Sequence, residues 1–131
     1  MRDEKEFRRA CYEAARRTRG RVTEFQYSDF DECVIGYRDR TIAIMCNRDA
    51  VLAITEPRSI DFSEGWVDGS PLTYLDEPEL VAVLAEQPGF RVLTRAELLG
   101  PPDAEAWGIS PYDLKCWRPA TLGDALFNFW D

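Results

Sequence analysis

The first twenty residues repeat their apolar positions at steps of three and four. The positions that follow this spacing are Phe7, Ala10, Cys11, Ala14 and Ala15. This period is that of one face of an amphipathic helix, and Gly20 is a typical residue to end it. We therefore predict a helix over Arg2–Arg19 that packs against a sheet through mostly small residues.

After Gly20 the period changes from that of a helix to that of strands. Four short segments rich in β-branched and aromatic residues follow one another: Arg21–Tyr27, Glu32–Arg38, Thr41–Cys46 and Ala50–Thr55. Turn-forming residues separate them, as in consecutive hairpins. The pattern predicts an antiparallel meander.

The apolar positions of these strands fall on one face of the predicted sheet. With a turn tip at Asp39 and Arg40, Tyr37 faces Ile42, Ile35 faces Ile44, and Cys33 faces Cys46. With the next turn at Asn47–Asp49, Ile44 faces Leu52 and Ile42 faces Ile54. Phe25 lies opposite Ile35 if the first connection, Ser28–Glu32, holds five residues. The agreement of three strands on one face favours this arrangement.

The other face of the predicted sheet is also apolar. It carries Val34, Ala43, Met45, Val51 and Ala53. Such a face is too apolar to lie in water, so either a later segment of the chain or a partner covers it. A homodimer through this face is one hypothesis.

The second half of the chain predicts short elements. Residues 56–76 are rich in turn formers, with a fifth strand near Ser59–Phe62 and an irregular excursion that carries Trp66. Asp76 and Glu79 are spaced to cap a helix that has Pro78 in its first turn and ends at Pro88. A strand at Phe90–Leu93 follows.

Further short elements are predicted up to the C-terminus. Thr94 with Glu97 predicts a capping box. We expect a loop at Pro102–Pro111 that contains Trp107, a last strand at Tyr112–Trp117, and a final helix capped by Thr121. Three of the last five residues are aromatic, and we expect them to be held by burial: Phe127, Phe129 and Trp130.

Together these patterns predict an α+β fold. It consists of an N-terminal helix, an antiparallel β-meander of four to six strands, and short C-terminal helices packed on the sheet. A length of 131 residues is near the most common domain size, so residues 1–131 are expected to form a single compact domain.

Charge is distributed unevenly along the chain. Residues 1–21 contain eight Arg or Lys and four Asp or Glu, whereas the remaining 110 residues contain eight and twenty. The body of the protein is therefore strongly acidic, which disfavours binding of nucleic acid. The basic first helix is expected mainly to neutralise its own acidic domain.

The residue types present exclude several chemistries. The chain contains no histidine, and its four cysteines, Cys11, Cys33, Cys46 and Cys116, lack zinc-site spacing. Phosphate-binding glycine motifs are absent. No apolar stretch approaches the roughly 18 residues of a membrane helix, and the N-terminus lacks an apolar signal region. We predict a cytoplasmic protein with reduced thiols, no metal, no cofactor and no membrane association.

The remaining candidate residues are acidic and aromatic. Acidic clusters such as Asp29, Asp31 and Glu32, or Asp103 with Glu105, are expected to be ordinary solvated loops. In the long predicted loops, acidic residues alternate with tryptophan. These positions are the candidate binding residues: Asp61, Glu64, Trp66, Asp68 and Trp107.

These features favour a non-enzymatic module that binds a basic protein. Charge complementarity would speed the encounter, and buried aromatic anchors would hold the complex. Bacterial inhibitor and immunity proteins that block toxic nucleases have a similar size and composition, and the analogy rests on these alone. The alternative hypothesis is a small enzyme or small-molecule binder with a loop pocket around Trp66 and Trp107.

Overall fold

The structure is a computed structural model that describes residues 4–27, 30–57, 60–61, 66–67, 73–108 and 121–127, with the single residues 110, 112, 115 and 119. The first helix, α1, spans Glu4–Arg17, and its buried residues are the five that the sequence predicts. Gly20 follows it at a point of close approach. A Cβ there would lie 2.6 Å from Cγ2 of Ile35, so a larger residue would displace the strand beneath.

A five-stranded sheet forms the centre of the fold, in the order β1-β2-β3-β4-β7. Its strands are β1 Arg21–Tyr27, β2 Asp31–Gly36, β3 Thr41–Cys46, β4 Val51–Thr55 and β7 Arg91–Val92. Strands β1 to β4 form the predicted antiparallel meander. A separate antiparallel pair consists of β5, Ile60–Asp61, and β6, Trp66–Val67.

The predicted register of the central hairpin is wrong by two residues. Ile35 pairs with Ile42 and Cys33 with Ile44, while Gly36 pairs with Thr41. The turn is displaced by one position, because the Tyr37 N–H donates to the Arg40 carbonyl at 2.7 Å and the tip is therefore Arg38 and Asp39 instead of Asp39 and Arg40. Both tips contain one Arg and one Asp, so the turn residues alone do not distinguish the two registers.

The neighbouring registers differ from the prediction in the same way. Ile44 pairs with Ile54, and Cys46 with Leu52. The longer turn depends on Asn47, whose side-chain oxygen accepts the N–H of Val51 at 3.0 Å. A shift of two residues keeps every side chain on its face, so the predicted faces hold although the predicted partners do not.

The first hairpin also differs from its predicted register. Val22 rather than Phe25 pairs with Ile35, and Phe25 pairs with Cys33. An irregularity between Val22 and Glu24 displaces the pairing. The predicted pairing of Cys33 with Cys46 is likewise wrong, because Cys46 pairs with Asp31 and Cys33 with Ile44.

The last strand of the sheet is parallel to its neighbour. Helix α2, Pro78–Ala85, connects β4 to β7, and the Leu93 N–H donates to the Leu52 carbonyl at 3.0 Å. A helical crossover is the usual way to join parallel strands. The prediction of Asp76 as the helix cap is wrong: the N-cap is Glu77, without a side-chain capping bond.

Three short helices complete the described chain. Helix α3, Arg95–Leu99, begins at the predicted Thr94 capping box, and α5, Leu122–Leu126, begins at the predicted cap Thr121. Helix α4, Ala104–Trp107, replaces part of the predicted loop. The strand predicted over Tyr112–Trp117 is also wrong where it is described, since Tyr112 and Lys115 have helical backbone.

Helices α1 and α2 cover one face of the sheet. This first core contains Phe7 and Cys11 of α1, Leu80 and Leu84 of α2, and the strand residues Cys33, Ile35, Ile42, Ile44, Cys46, Leu52 and Ile54. The apolar face predicted from the sequence is thus confirmed. The central strands β2, β3 and β4 are almost fully buried because segments of the chain pack on both faces of the sheet.

The chain itself covers the opposite face. The second core joins Met45, Val51 and Ala53 of the sheet to Phe30, Tyr74, Leu93, Leu98, Leu122 and Phe127. Phe127 is only 5% exposed and contacts Phe30, with ring centroids 5.6 Å apart. The C-terminal segment therefore packs as predicted, although Phe129 and Trp130 lie outside the described residues. Segments of the same chain thus cover Met45, Val51 and Ala53, three residues of the face that the sequence analysis left for a later segment or a partner.

Candidate functional site

The structure brings two predicted binding residues together. Asp61 on β5 lies directly opposite Trp66 on β6 in the antiparallel register. Glu64 falls in the connection between them, and both Glu64 and Asp68 lie outside the described residues. The pairing agrees with a single acidic and aromatic hairpin.

Trp107 lies at the end of α4, on the side of the second core. The guanidinium carbon of Arg91 is 3.9 Å from the centroid of the indole ring, a typical cation–π contact. The predicted binding residues that the structure describes thus belong to two elements, the β5–β6 hairpin and α4.

Two exposed carboxylates accompany Trp107 on α4. Asp103 precedes the helix and accepts the Ala106 N–H at 3.1 Å, whereas Glu105 lies on its exposed surface. Asp103 therefore stabilises the helix start, and Glu105 is available for a partner. Helix α4 thus carries an exposed carboxylate, Glu105, and a half-buried indole ring, Trp107.

The acidic cluster at the start of β2 is not a solvated loop. Asp31 is fully buried and Glu32 is 4% exposed, so the prediction for these two residues is wrong. Both belong to β2, whose alternation directs them to opposite faces of the sheet. Asp31 lies on the face covered by α1, next to Cys46 on β3.

Three buried thiols lie near Asp31 in the first core: Cys11, Cys33 and Cys46. Burial raises the pKa of the Cys11 thiol well above its ordinary value, and hydrogen bonding with Cys33 raises it further. A suppressed thiolate is a poor nucleophile and a poor metal ligand. Within the described residues, no group of His, Cys, Asp or Glu is arranged to hold a metal ion.

A surface that the sequence analysis did not identify lies where α1 crosses the edge of the sheet. It consists of Arg8 and Tyr12 on α1 with Phe25 and Tyr27 on β1, and we call it the aromatic–arginine surface. The Phe25 ring stacks on Tyr27 at a centroid distance of 6.2 Å and lies 5.5 Å from Tyr12. The Arg8 guanidinium carbon is 4.9 Å from the centroid of Phe25.

This surface is open to solvent although it is aromatic. Tyr12 is 51% exposed and Tyr27 is 41% exposed. A hydrogen bond with the Tyr12 hydroxyl raises the pKa of the Arg8 guanidinium. The electrostatic interaction with Tyr27 raises it further. Exposed tyrosine and arginine side chains are the types enriched in the energetically dominant contacts of protein interfaces.

A concavity of about 630 Å³ lies between the end of α1 and α2. Its lining includes Arg17, Arg19 and Glu79, and Arg17 also pairs with Glu86 at 2.7 Å. Both signs of charge therefore line it, which gives no preference for an anion or a cation. It is separate from the pocket predicted around Trp66 and Trp107, which stays a prediction.

Comparison of the chain with protein-family models, curated proteins and solved structures gives no match. No helix in the described segments has the length and apolar character needed to cross a membrane. The function is therefore argued from the surfaces of the molecule itself.

Proposed function

We propose that this chain is a non-enzymatic protein-binding module that captures a basic partner. The distribution of charge supports the proposal. Arg9 and Arg16 pair with glutamates of their own helix at 2.6 Å each, and Arg17 pairs with Glu86 of α2. Most of the positive charge of α1 is thus neutralised locally.

The remaining surface carries the acidic surplus of a chain with a net charge of −8. Exposed carboxylates follow one another through the second half: Glu79, Glu97, Asp103 and Glu105. Such a surface attracts a basic protein over a Debye length of about 8 Å at physiological salt and so raises the association rate. A nucleic-acid-binding protein has the complementary positive surface, which accords with an inhibitor or immunity-type role.

Helix α4 is the single observation that carries the proposal. It holds the half-buried Trp107 on the scaffold through Arg91 and the second core, and it exposes Glu105 two residues earlier on the same helix. A fixed aromatic group costs little entropy when it binds, and a flanking carboxylate adds charge complementarity. The β5–β6 hairpin, with Asp61 opposite Trp66, would supply a second acidic contact.

The test begins with affinity purification of the tagged chain from its native cell. We expect one basic protein to co-elute at equal stoichiometry. Association of that protein is then measured at low and high salt with Glu105→Lys, with the triple reversal Asp61→Lys, Glu64→Lys and Asp68→Lys, and with Asp49→Lys as control. Asp49 is exposed in the β3–β4 turn and gives the same change of net charge per residue.

The two acidic variants should associate more slowly, and the difference should shrink as salt screens the charge, while the control should approach the wild-type rate. If no basic protein co-elutes, or if the acidic variants associate as fast as the control at all salt concentrations, the proposal is wrong.

A further inference from the structure

Arg8 differs from the other arginines of α1. Each of the other three pairs with a glutamate, whereas no described carboxylate pairs with Arg8. Its guanidinium instead lies over the Phe25 ring, beside the hydroxyls of Tyr12 and Tyr27. A guanidinium held on an aromatic ring is well prepared to bind a carboxylate through two parallel hydrogen bonds.

This arginine lies beside an open edge of the sheet. Strand β1 has seven residues and is the first strand in the sheet order, and within the described part of the chain no strand lies beyond it. Open edges expose unpaired backbone N–H and C=O groups, which an extended segment of another chain can use.

A second copy of this chain is a poor occupant of the edge. Antiparallel pairing of two β1 strands about their centre would place Glu24 opposite the same residue of the other copy, and like charges directly opposite are destabilising. The irregularity between Val22 and Glu24 lies near the start of β1, and the residues from Glu24 to Tyr27 pair regularly with β2 and offer a regular edge. The repulsion at Glu24 favours a partner with a different sequence.

We infer that β1 accepts an extended, acidic segment of a partner protein as an added strand, and that Arg8 binds a carboxylate of that segment. Adjacent strands lie about 4.8 Å apart, so a residue across from Phe25 would lie beside the Arg8 guanidinium on the same face. Because side chains alternate, the next residue on that face would lie near the exposed rings of Tyr12 and Tyr27 and should be apolar. This contact is opposite in charge to the acidic surface proposed above and is independent of it.

The experiment selects peptides from a library of random eight-residue sequences with the full-length protein. We expect enrichment of peptides with an Asp or Glu two residues from an apolar residue. A selected peptide is then titrated into 15N-labelled protein, and its affinity is measured by fluorescence anisotropy. The largest amide shifts should fall in Arg21–Tyr27.

Four protein variants and one peptide variant locate the carboxylate contact. Arg8→Gln should weaken binding by about tenfold or more, as expected for the loss of a charged hydrogen-bonded pair, and Arg8→Lys should weaken it less. Arg16→Gln, an exposed change on the same helix, should leave the affinity unchanged, and so should Glu105→Lys on α4. The peptide with Asn or Gln in place of its acid should bind wild-type protein as weakly as the acidic peptide binds Arg8→Gln.

Several results would overturn the inference. These are a selection without acidic peptides, shifts that avoid β1, or equal affinity of Arg8→Gln and wild type. Concentration-dependent shifts of β1 amides without peptide would show instead that a second copy occupies the edge. Circular dichroism of Arg8→Gln is the folding control, and because Arg8 is exposed we expect a native spectrum.

Discussion

Replacement of Gly123 by alanine tests how closely α5 packs on the second core. The glycine is buried in the first turn of the helix, directly above the ring of Tyr74. A Cβ there would lie 2.5 Å from Cζ and 2.6 Å from Cε2 of Tyr74, and closer still to the hydroxyl oxygen. These distances are far below van der Waals contact, so either the ring or the helix must move.

Two effects of opposite sign determine the change in stability. Alanine favours a helix interior over glycine by about 1 kcal/mol. Overpacking a well-filled core costs about 1–3 kcal/mol, and the upper part of that range applies because the ring is rigid. Tyr74 is 7% exposed, and its segment is fixed by a hydrogen bond of 2.9 Å from the Leu75 N–H to the Ile54 carbonyl. We expect a net destabilisation of about 1–2 kcal/mol.

Urea denaturation of four proteins measures this effect: wild type, Gly123→Ala, Tyr74→Leu and the double variant. In the Tyr74→Leu background the added methyl group has room, so Gly123→Ala should become neutral or stabilising, with a coupling of about 1–3 kcal/mol. Ala125→Gly, in the same helix, controls for helix propensity alone. If Gly123→Ala is as stable as wild type, α5 does not pack on Tyr74 as described.

Two further predictions concern electrostatics. Arg40 donates to both carboxylate oxygens of the mostly buried Glu77, from Nη2 to Oε1 at 2.5 Å and from Nε to Oε2 at 3.2 Å. Glu77→Gln should therefore cost about 1 kcal/mol in urea denaturation, whereas Glu13→Gln, which breaks an exposed pair, should cost about 0.3 kcal/mol. Equal losses would contradict this prediction. Burial and the charge of Asp124 raise the pKa of Tyr74 above its unfolded value near 10, so the folded state binds the proton more tightly and stability should fall as the pH rises above about 10. Tyr74→Phe should weaken this dependence in urea midpoints measured between pH 8 and 11, and an unchanged slope would count against it.

The helices and faces could be predicted from the sequence because their determinants are local. The period of α1 depends on neighbouring turns of one helix, and all five of its buried residues were predicted. The strand partners were not, since a register depends on turn length, and Asn47 extends its turn by side-chain bonds that composition does not show. The direction of β7 was also missed, because two residues are too few to show a strand period.

The candidate site was predicted less completely for the same reason. The alternation of acidic residues with tryptophan is visible in the sequence, and it made Trp107 a candidate binding residue. The sequence nevertheless predicted a loop at this position, whereas Trp107 lies on α4. The aromatic–arginine surface depends on the tertiary contact of α1 with β1. The sequence does show that Arg8 and Tyr12 lie one helical turn apart and outside the buried face of α1. This spacing does not indicate that Phe25 joins them.

The chain covers both faces of its own sheet. This coverage leaves the edge of β1 and the acidic helices for partners. Truncation after Pro119 removes α5 and Phe127 and tests this directly. Burial of one phenylalanine at 25 cal/mol per Å² over about 150–250 Å² contributes roughly 4–6 kcal/mol, comparable with the stability of a whole domain. The decisive measurement is the near-ultraviolet circular dichroism of the truncated protein. We predict loss of the native aromatic spectrum; a soluble protein with an unchanged spectrum would contradict the account.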